Sequence, residues 1–257
     1  MCRPRQGTHL AMRASNKCEY FLLKRMGKTI SDYKLIENND RIIVAVSGGK
    51  DSLSLLRLLT IRSSYVPIKY ELLAVHIDFG YSPAQVEKLN KYLQQQGYQY
   101  HIEKRSLDLK PGEKINCFWC SWNRRKALFE VADRFGFKKI ALAHNKDDLV
   151  ETALLNLFYH GEISTILPSL EFFNGRFLLI RPLVNVEACE LKRYADIMHL
   201  PYHEHSCPFK ADTTKRAKIK GLILSLSREN RHIKRNILKS IQREKILYKP
   251  RRMLGLK

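Results

Sequence analysis

Arg41-Ile42-Ile43-Val44-Ala45-Val46-Ser47-Gly48-Gly49-Lys50-Asp51-Ser52-Leu53 is the stretch on which the reading of this chain turns. Residues 41–47 form an apolar run rich in β-branched side chains, the signature of a buried strand. Two glycines break that run, and over 51–62 Leu53, Leu56 and Leu59 recur at helical spacing. Adjacent glycines let the backbone fold tightly enough to aim several N–H groups at an anion, and the following helix N-terminus adds partial positive charge. The implication is a phosphate-binding turn between a strand and its helix. It is not a Walker A loop, because the Gly-x-x-x-x-Gly-Lys-Ser spacing is absent. Lys50 suits phosphoryl oxygens, Asp51 suits Mg²⁺, and Ser47 and Ser52 can donate hydrogen bonds beside Gly48 and Gly49. Together they form a set for ATP whose pyrophosphate departs.

Outward from this turn the pattern repeats. Strands are predicted at 71–77, 98–104, 139–143 and 177–180, and helices at 83–96, 121–135, 146–159 and 187–199. Successive strand–helix units predict an α/β fold, a doubly wound, Rossmann-like parallel sheet with helices on both faces. Residues 1–35 read as a basic N-terminal extension or helix, 36–209 as the nucleotide-binding domain, and 210–257 as a basic helical segment. In the last, Ile219, Ile223 and Leu226, then Ile233, Ile237 and Ile241, mark one or two amphipathic helices.

The chain has 257 residues, 44% of them hydrophobic, which is enough for a well-buried core and excludes a disulfide mini-scaffold. Its 46 Lys and Arg against 25 Asp and Glu give +21, with +6 over 1–30, +13 over 210–257 and only +2 between. A near-neutral body with basic ends suits a catalytic core flanked by elements that track a nucleic-acid backbone. No apolar run approaches the ~20 residues of a membrane span, and 1–17 is polar and basic, so a reducing cytoplasmic setting is expected. There, Cys2, Cys18, Cys117, Cys120, Cys189 and Cys207 are ligands, catalytic thiols or buried residues rather than disulfides. Cys189 reads as a buried small residue, and His76 and His101 as core or edge positions of strands.

Two further motifs carry chemistry. His144-Asn145-Lys146-Asp147-Asp148-Leu149-Val150-Glu151-Thr152 sets Asp147, Asp148 and Glu151 at a helix N-terminus near the carboxyl edge of the sheet, where such folds bind ligands. Helix capping is the plainer reading of Asp147. Cys117-Phe118-Trp119-Cys120 brings two sulfurs together across one turn, and Cys207 is the one candidate for a third ligand. Ligand arithmetic leaves open an iron–sulfur cluster with one free iron position, a zinc site completed by His203 or His205, and a redox dithiol. Arg124 and Arg125, just after the cysteines, can steady negative charge developing on a phosphoryl group, or be exposed positions of a solvated helix. Trp119 and Trp122 suit packing beside the sulfurs or stacking on a base.

The Ser-Gly-Gly-x-Asp-Ser turn resembles the PP-loop of N-type ATP pyrophosphatases, and 144–152 is similar to the second signature of the tRNA-modifying members. With the Cys-x-x-Cys before Asn123-Arg124-Arg125, Arg181-Pro182-Leu183, the lead-in at 27–41 and the late Cys207, the resemblance from about 24 to 238 is to tRNA 2-thiocytidine synthetases of the TtcA type. It implies a [4Fe-4S] cluster on Cys117, Cys120 and Cys207, with ATP and Mg²⁺ as the other cofactors. It implies an enzyme that adenylates C2 of an anticodon-loop cytidine in tRNA and replaces its oxygen by sulfur, releasing AMP and pyrophosphate. On that reading Asp51, Arg124 and Asp148 are catalytic, 47–52 holds ATP, sulfide or a cysteine desulfurase system donates sulfur, and the enzyme is a homodimer. The alternatives are a tRNA 2-thiouridine synthetase, a PP-loop ligase or amidase acting on another base or small metabolite, and a non-catalytic RNA-binding protein with a zinc site.

Overall fold

The computed structural model describes residues 7–106, 117–203 and 215–243. In chain order the elements are α1 (Gly7–Asp32), β1 (Asp40–Ala45), α2 (Lys50–Ser63), β2 (Tyr70–Asp78), α3 (Pro83–Gln95), β3 (Tyr100–Lys104) and α4 (Cys117–Phe135). They continue as β4 (Lys139–Ala141), α5 (Lys146–His160), β5 (Ser169–Phe172), β6 (Phe177–Ile180), α6 (Ala188–Ile197), α7 (Lys215–Glu229) and α8 (Ile233–Arg243). The sheet order is β3-β2-β1-β4-β6-β5, parallel except for the antiparallel β5–β6 pair.

Strand β1 lies in the interior of the sheet for the reason its sequence gives: it is apolar on both faces. Ile42 and Val44 point into the core made with α1, α2 and α6, and Ile43 into the core made with α4. Fully burying such side chains stabilises by about 1.5–3 kcal/mol each relative to exposure. Leu22, Met26 and Ile30 of α1 enter the same core as Leu55, Leu58 and Tyr194, so the N-terminal helix is an integral wall of the domain.

Three sequence expectations change. Strand β5 was not anticipated: it has four residues, sits at the sheet edge and runs antiparallel, so the all-parallel expectation fails there. Its hairpin turns through Phe173, Asn174 and Gly175, all at positive φ, and the strained Phe173 is held edge-on against Phe129 and Phe177. Helix α4 begins at Cys117 rather than after the cysteines, so Cys117 and Cys120 lie three residues apart within one helical turn. Cys189 is exposed, because α6 turns its opposite face, Leu191, Tyr194 and Ala195, to the core.

The basic C-terminal segment forms two helices, and they dock. Ile219 and Ile223 of α7 pack on Val150 and Leu154 of α5 with Ile237 and Leu238 of α8, a satellite core apart from the two that flank the sheet.

Candidate active site

The carboxyl ends of β1, β2 and β4 lie side by side, and the turns that leave them build the site. After β1, Ser52 Oγ accepts the Ser47 N–H at 3.1 Å and donates to Gly49 O at 2.9 Å, while the Gly49 N–H donates to Ser47 Oγ at 3.3 Å. Gly48 is at φ +81, a conformation that favours glycine, and a Cβ there would meet the His203 ring at 2.5 Å, so any larger residue would also have to displace that ring. The hydroxyl of buried Ser52 is thus spent on closing the turn, and Gly49 caps α2. Lys50 Nζ bonds both Asp51 oxygens at 3.0 and 2.9 Å. Burial raises the Asp51 pKa, Lys50 opposes this, and nearby Asp147 adds to it.

After β4, buried Asn145 caps α5: its Oδ1 accepts from the N–H groups of Asp147 and Asp148, and its Nδ2 donates to Asp51 at 3.4 Å. Asp148 returns the contact, accepting the Asn145 N–H at 2.9 Å in a capping box. Asp147 accepts the Ala188 N–H at 2.8 Å and pairs with Lys234 at 2.6 Å. Glu151 pairs with Arg216 at 2.9 Å, and Asp148 stands 3.9 Å from the same guanidinium. Burial pushes Asp148 and Glu151 above their ordinary range against the pull of Arg216. Capping therefore falls to Asn145 and Asp148, whereas Asp147 ties the helix to α6 and α8.

A cavity of about 420 Å³ opens beside the turn, lined by Ser47, the β2 end from His76 to Phe79, Tyr81, and Cys120, Arg124 and Arg125 of α4. Arg124 lies over the Phe79 ring at 5.7 Å, and Cys120 Sγ is 3.6 Å from the Tyr81 hydroxyl. The structure thus brings the phosphate turn, both arginines and Cys120 to one space. The Cys117 side chain and all of Cys207 lie outside the described residues. Among the described residues no three His, Cys, Asp or Glu side chains are grouped to hold a metal.

Sequence reasoning misplaced two histidines, His76 and His203. His76 is not a plain core residue: its Nδ1 is 2.7 Å from Val46 O, burial lowers its pKa, and its ring lines the cavity. His203 closes the turn from above, its N–H donating to Gly48 O at 3.3 Å. The parity of β2 could have flagged His76, and the sequence offered His203 only as a zinc ligand beside Cys207, with no local signal for its place over Gly48. His101 behaves as an edge residue, bonded to Glu103 at 2.7 Å.

A glycine turn with Lys and Asp, an Asn-capped acidic helix beside it and an arginine-lined cavity define a nucleotide-binding α/β protein that handles the phosphates of ATP. Comparison with known proteins gives the same class: the PP-loop domain matches residues 20–224. The chain is 38% identical to the tRNA-cytidine(32) 2-sulfurtransferase of Geobacter sulfurreducens, over 84% of this chain and 86% of the relative. It is 36% identical to that of Syntrophotalea carbinolica, over 84% and 85%. The U34-tRNA thiolase NcsA of Methanococcus maripaludis, solved with its [4Fe-4S] cluster, shares the fold at TM-score 0.69 and 22% identity, covering 91% of this chain and 78% of that one. The chain belongs to the PP-loop family, in its tRNA-cytidine(32) 2-sulfurtransferase group.

Proposed function

We propose that this chain is an ATP-dependent tRNA sulfurtransferase that adenylates and then thiolates C2 of an anticodon-loop cytidine, the cytidine at position 32. The observation that carries the reading is the meeting, in one cavity, of Ser47 at the start of the phosphate turn with Arg124, Arg125 and Cys120. An activating half for ATP and a thiol half for sulfur face the same space.

The phosphates of ATP lie on the N–H groups of the turn and on Lys50, which exchanges its Asp51 partner for phosphoryl oxygens. Asp51, freed of that ammonium and steadied by Asn145, holds Mg²⁺. The cytidine O2 attacks the α-phosphorus, the bond to the bridging oxygen breaks, and pyrophosphate leaves with the electron pair. Arg124 steadies the charge that develops, and Asp148 acts from the helix N-terminus as a catalytic or metal-orienting carboxylate. Sulfide then displaces AMP from C2, its source being free sulfide, or the outer sulfur of a desulfurase persulfide released as sulfide by two electrons from an external thiol.

Cys120 lines the cavity as a free thiol, and Cys117 stands one turn ahead on the same helix, a donor set that fits a soft metal cluster. Cys207, four residues beyond His203, is the third ligand on this reading, and the [4Fe-4S] cluster they would hold supplies a site for sulfide. A target base must leave its stack to enter such a cavity, which a single-stranded loop permits at low cost.

The tRNA approaches over the exposed lysines of α7, Lys215, Lys218 and Lys220, beside exposed Phe158 and Tyr159 at the end of α5. No helix among the described residues is long and apolar enough to cross a membrane. The expected homodimer is tested by light scattering on the purified chain.

Nucleosides from tRNA of cells with and without the gene, measured by mass spectrometry, test the function. The expected result is loss of 2-thiocytidine alone, restored by the wild type but not by Cys120→Ala. Loss of 2-thiouridine would select the uridine enzyme, and an unchanged profile the PP-loop ligase or amidase.

A further inference from the structure

His144 lines the cavity and is bonded to buried Arg181, a pair that neither the phosphate turn nor the acidic helix uses. Arg181 Nε donates to His144 Nδ1 at 3.2 Å. A guanidinium has donors only, so Nδ1 must be the ring nitrogen with the lone pair, and the proton of the neutral ring sits on Nε2. Arg181 cannot readily turn away: it is 5% exposed, its Nη1 donates to Leu167 O at 2.7 Å, and its backbone N–H donates to Pro168 O at 2.8 Å.

The charged groups facing this ring are all cationic, coming from three elements. Arg181 follows β6, Arg125 is on α4 and Arg216 on α7, and burial together with these three guanidiniums pulls the His144 pKa down to about 3. His144 Nε2 has no hydrogen-bond partner among the described residues, and the ring lines the same cavity as Ser47, Arg124 and Arg125. The next residue, Asn145, is bonded to Asp51. A nitrogen that can only donate, set between the phosphate turn and two arginines, matches an anionic oxygen.

We propose that His144 Nε2–H donates to a non-bridging oxygen of the α-phosphoryl group, first in ATP and then in the adenylated base, and that Arg181 is the positioning residue that fixes the ring's tautomer. The assignment rests on the adenylation reading above. Its chemical advantage is constancy: the donor stays neutral and protonated at Nε2 through the whole range in which an ordinary imidazole titrates.

Long-range ¹H–¹⁵N correlation spectra of the full chain labelled at histidine test the tautomer directly. The His144 signal, identified as the one lost in His144→Gln, is expected to show protonated Nε2 and bare Nδ1 from about pH 5.5 to 8. In Arg181→Gln the His144 ring is expected to begin titrating. Single-turnover pyrophosphate release with tRNA tests the donor. Gln places its amide nitrogen where Nε2 stands and is expected to stay within about five-fold of wild type, whereas Asn, which mimics Nδ1, and Ala lose about 100-fold. Thermal melting of the Gln and Asn variants controls for folding. A protonated Nδ1 would overturn the proposal whatever the activities, and equal losses in Gln and Asn would overturn the donor role. Wild type that releases no pyrophosphate while His144 shows the expected tautomer would instead bring down the adenylation reading, and the phosphoryl assignment with it.

Discussion

The phosphate turn and the acidic helix stand side by side at the sheet edge and are held together in opposite ways. The bonds that turn residues Ser47 to Ser52 make with one another span at most five positions, and His203 and Asn145 add one long-range bond each, to Gly48 O and Asp51. The carboxylates of α5 are satisfied from far along the chain: Asp147 by Ala188 and Lys234, and Glu151 by Arg216. The turn is therefore shaped largely by its own residues, while the acidic helix is buried under the C-terminal helices, whose Arg216 and Lys234 offset that burial by pairing with Glu151 and Asp147. Two cations of the segment that composition assigns to RNA are consumed in this way. Lys234 shows the balance: burial pulls its pKa down, yet the carboxylates of Asp147 and Glu187 raise it overall.

The largest test of this contrast is on the turn. Asp51→Ala or Lys50→Ala is expected to lower pyrophosphate release by about 100- to 1,000-fold while leaving the melting temperature near wild type, since neither side chain shapes the turn. A collapse of stability in these variants would show that these side chains do shape the turn.

On the helix the order reverses. Ile223→Ala or Leu154→Ala, at sites 4% and 7% exposed, is expected to destabilise by about 2–4 kcal/mol in urea titrations. Deleting the segment from 215 onward would uncover Val150 and Leu154 and leave Glu151 and Asp147 without their cations, so it cannot report on RNA binding alone. Point changes on the outer face serve better. Each of Lys215→Ala, Lys218→Ala and Lys220→Ala is expected to flatten the salt dependence of tRNA binding by up to about one unit of slope if it meets a phosphate, without moving stability. Unchanged slopes in all three would place the RNA elsewhere.

Lys234→Ala is a smaller perturbation. It leaves Asp147, largely buried, with the Ala188 N–H alone, and a loss of about 1–3 kcal/mol is expected, relieved by adding Asp147→Asn. Additive losses in that double-mutant cycle would break the idea that the pair is coupled.

The smallest effect lies at the far edge of the sheet. Glu103, bonded by Arg134 and also by His101 and Arg105, is held down to about 2 from an ordinary 4.5. A depressed carboxylate contributes stability that is full above 4.5 and lost as the pH falls toward 2. The site carboxylates Asp51, Asp148 and Glu151 are raised, so their protonation in the folded state comes earlier than in the unfolded chain and softens the acid loss. Arg134→Ala is expected to flatten the acid limb of a stability titration, and an unaltered limb would remove Glu103 from the account.

How much of this was legible follows the same division. The first strand, its glycine turn and its helix were readable because alternation, breakers and helical spacing all act within a few residues. So was the grouping of Arg124, Arg125 and Cys120, although the helical setting of Cys117-Phe118-Trp119-Cys120 was not. The antiparallel edge strand was too short to carry a periodic signal. His76 escaped because it looks like any strand residue, and His203, read only as a zinc ligand, because its partner Gly48 lies far along the chain.

The class of fold and the glycine turn between β1 and α2 were written in the sequence alone, because βα pairing and a tight glycine turn depend on short-range geometry. Only the tertiary structure decided that the basic C-terminal helices neutralise the acidic signature, that Arg181 fixes the tautomer of His144, and that His203 covers Gly48. Those are contacts between residues tens to more than a hundred positions apart. Charge and burial select such partners only once the sheet has brought the ends of its strands together.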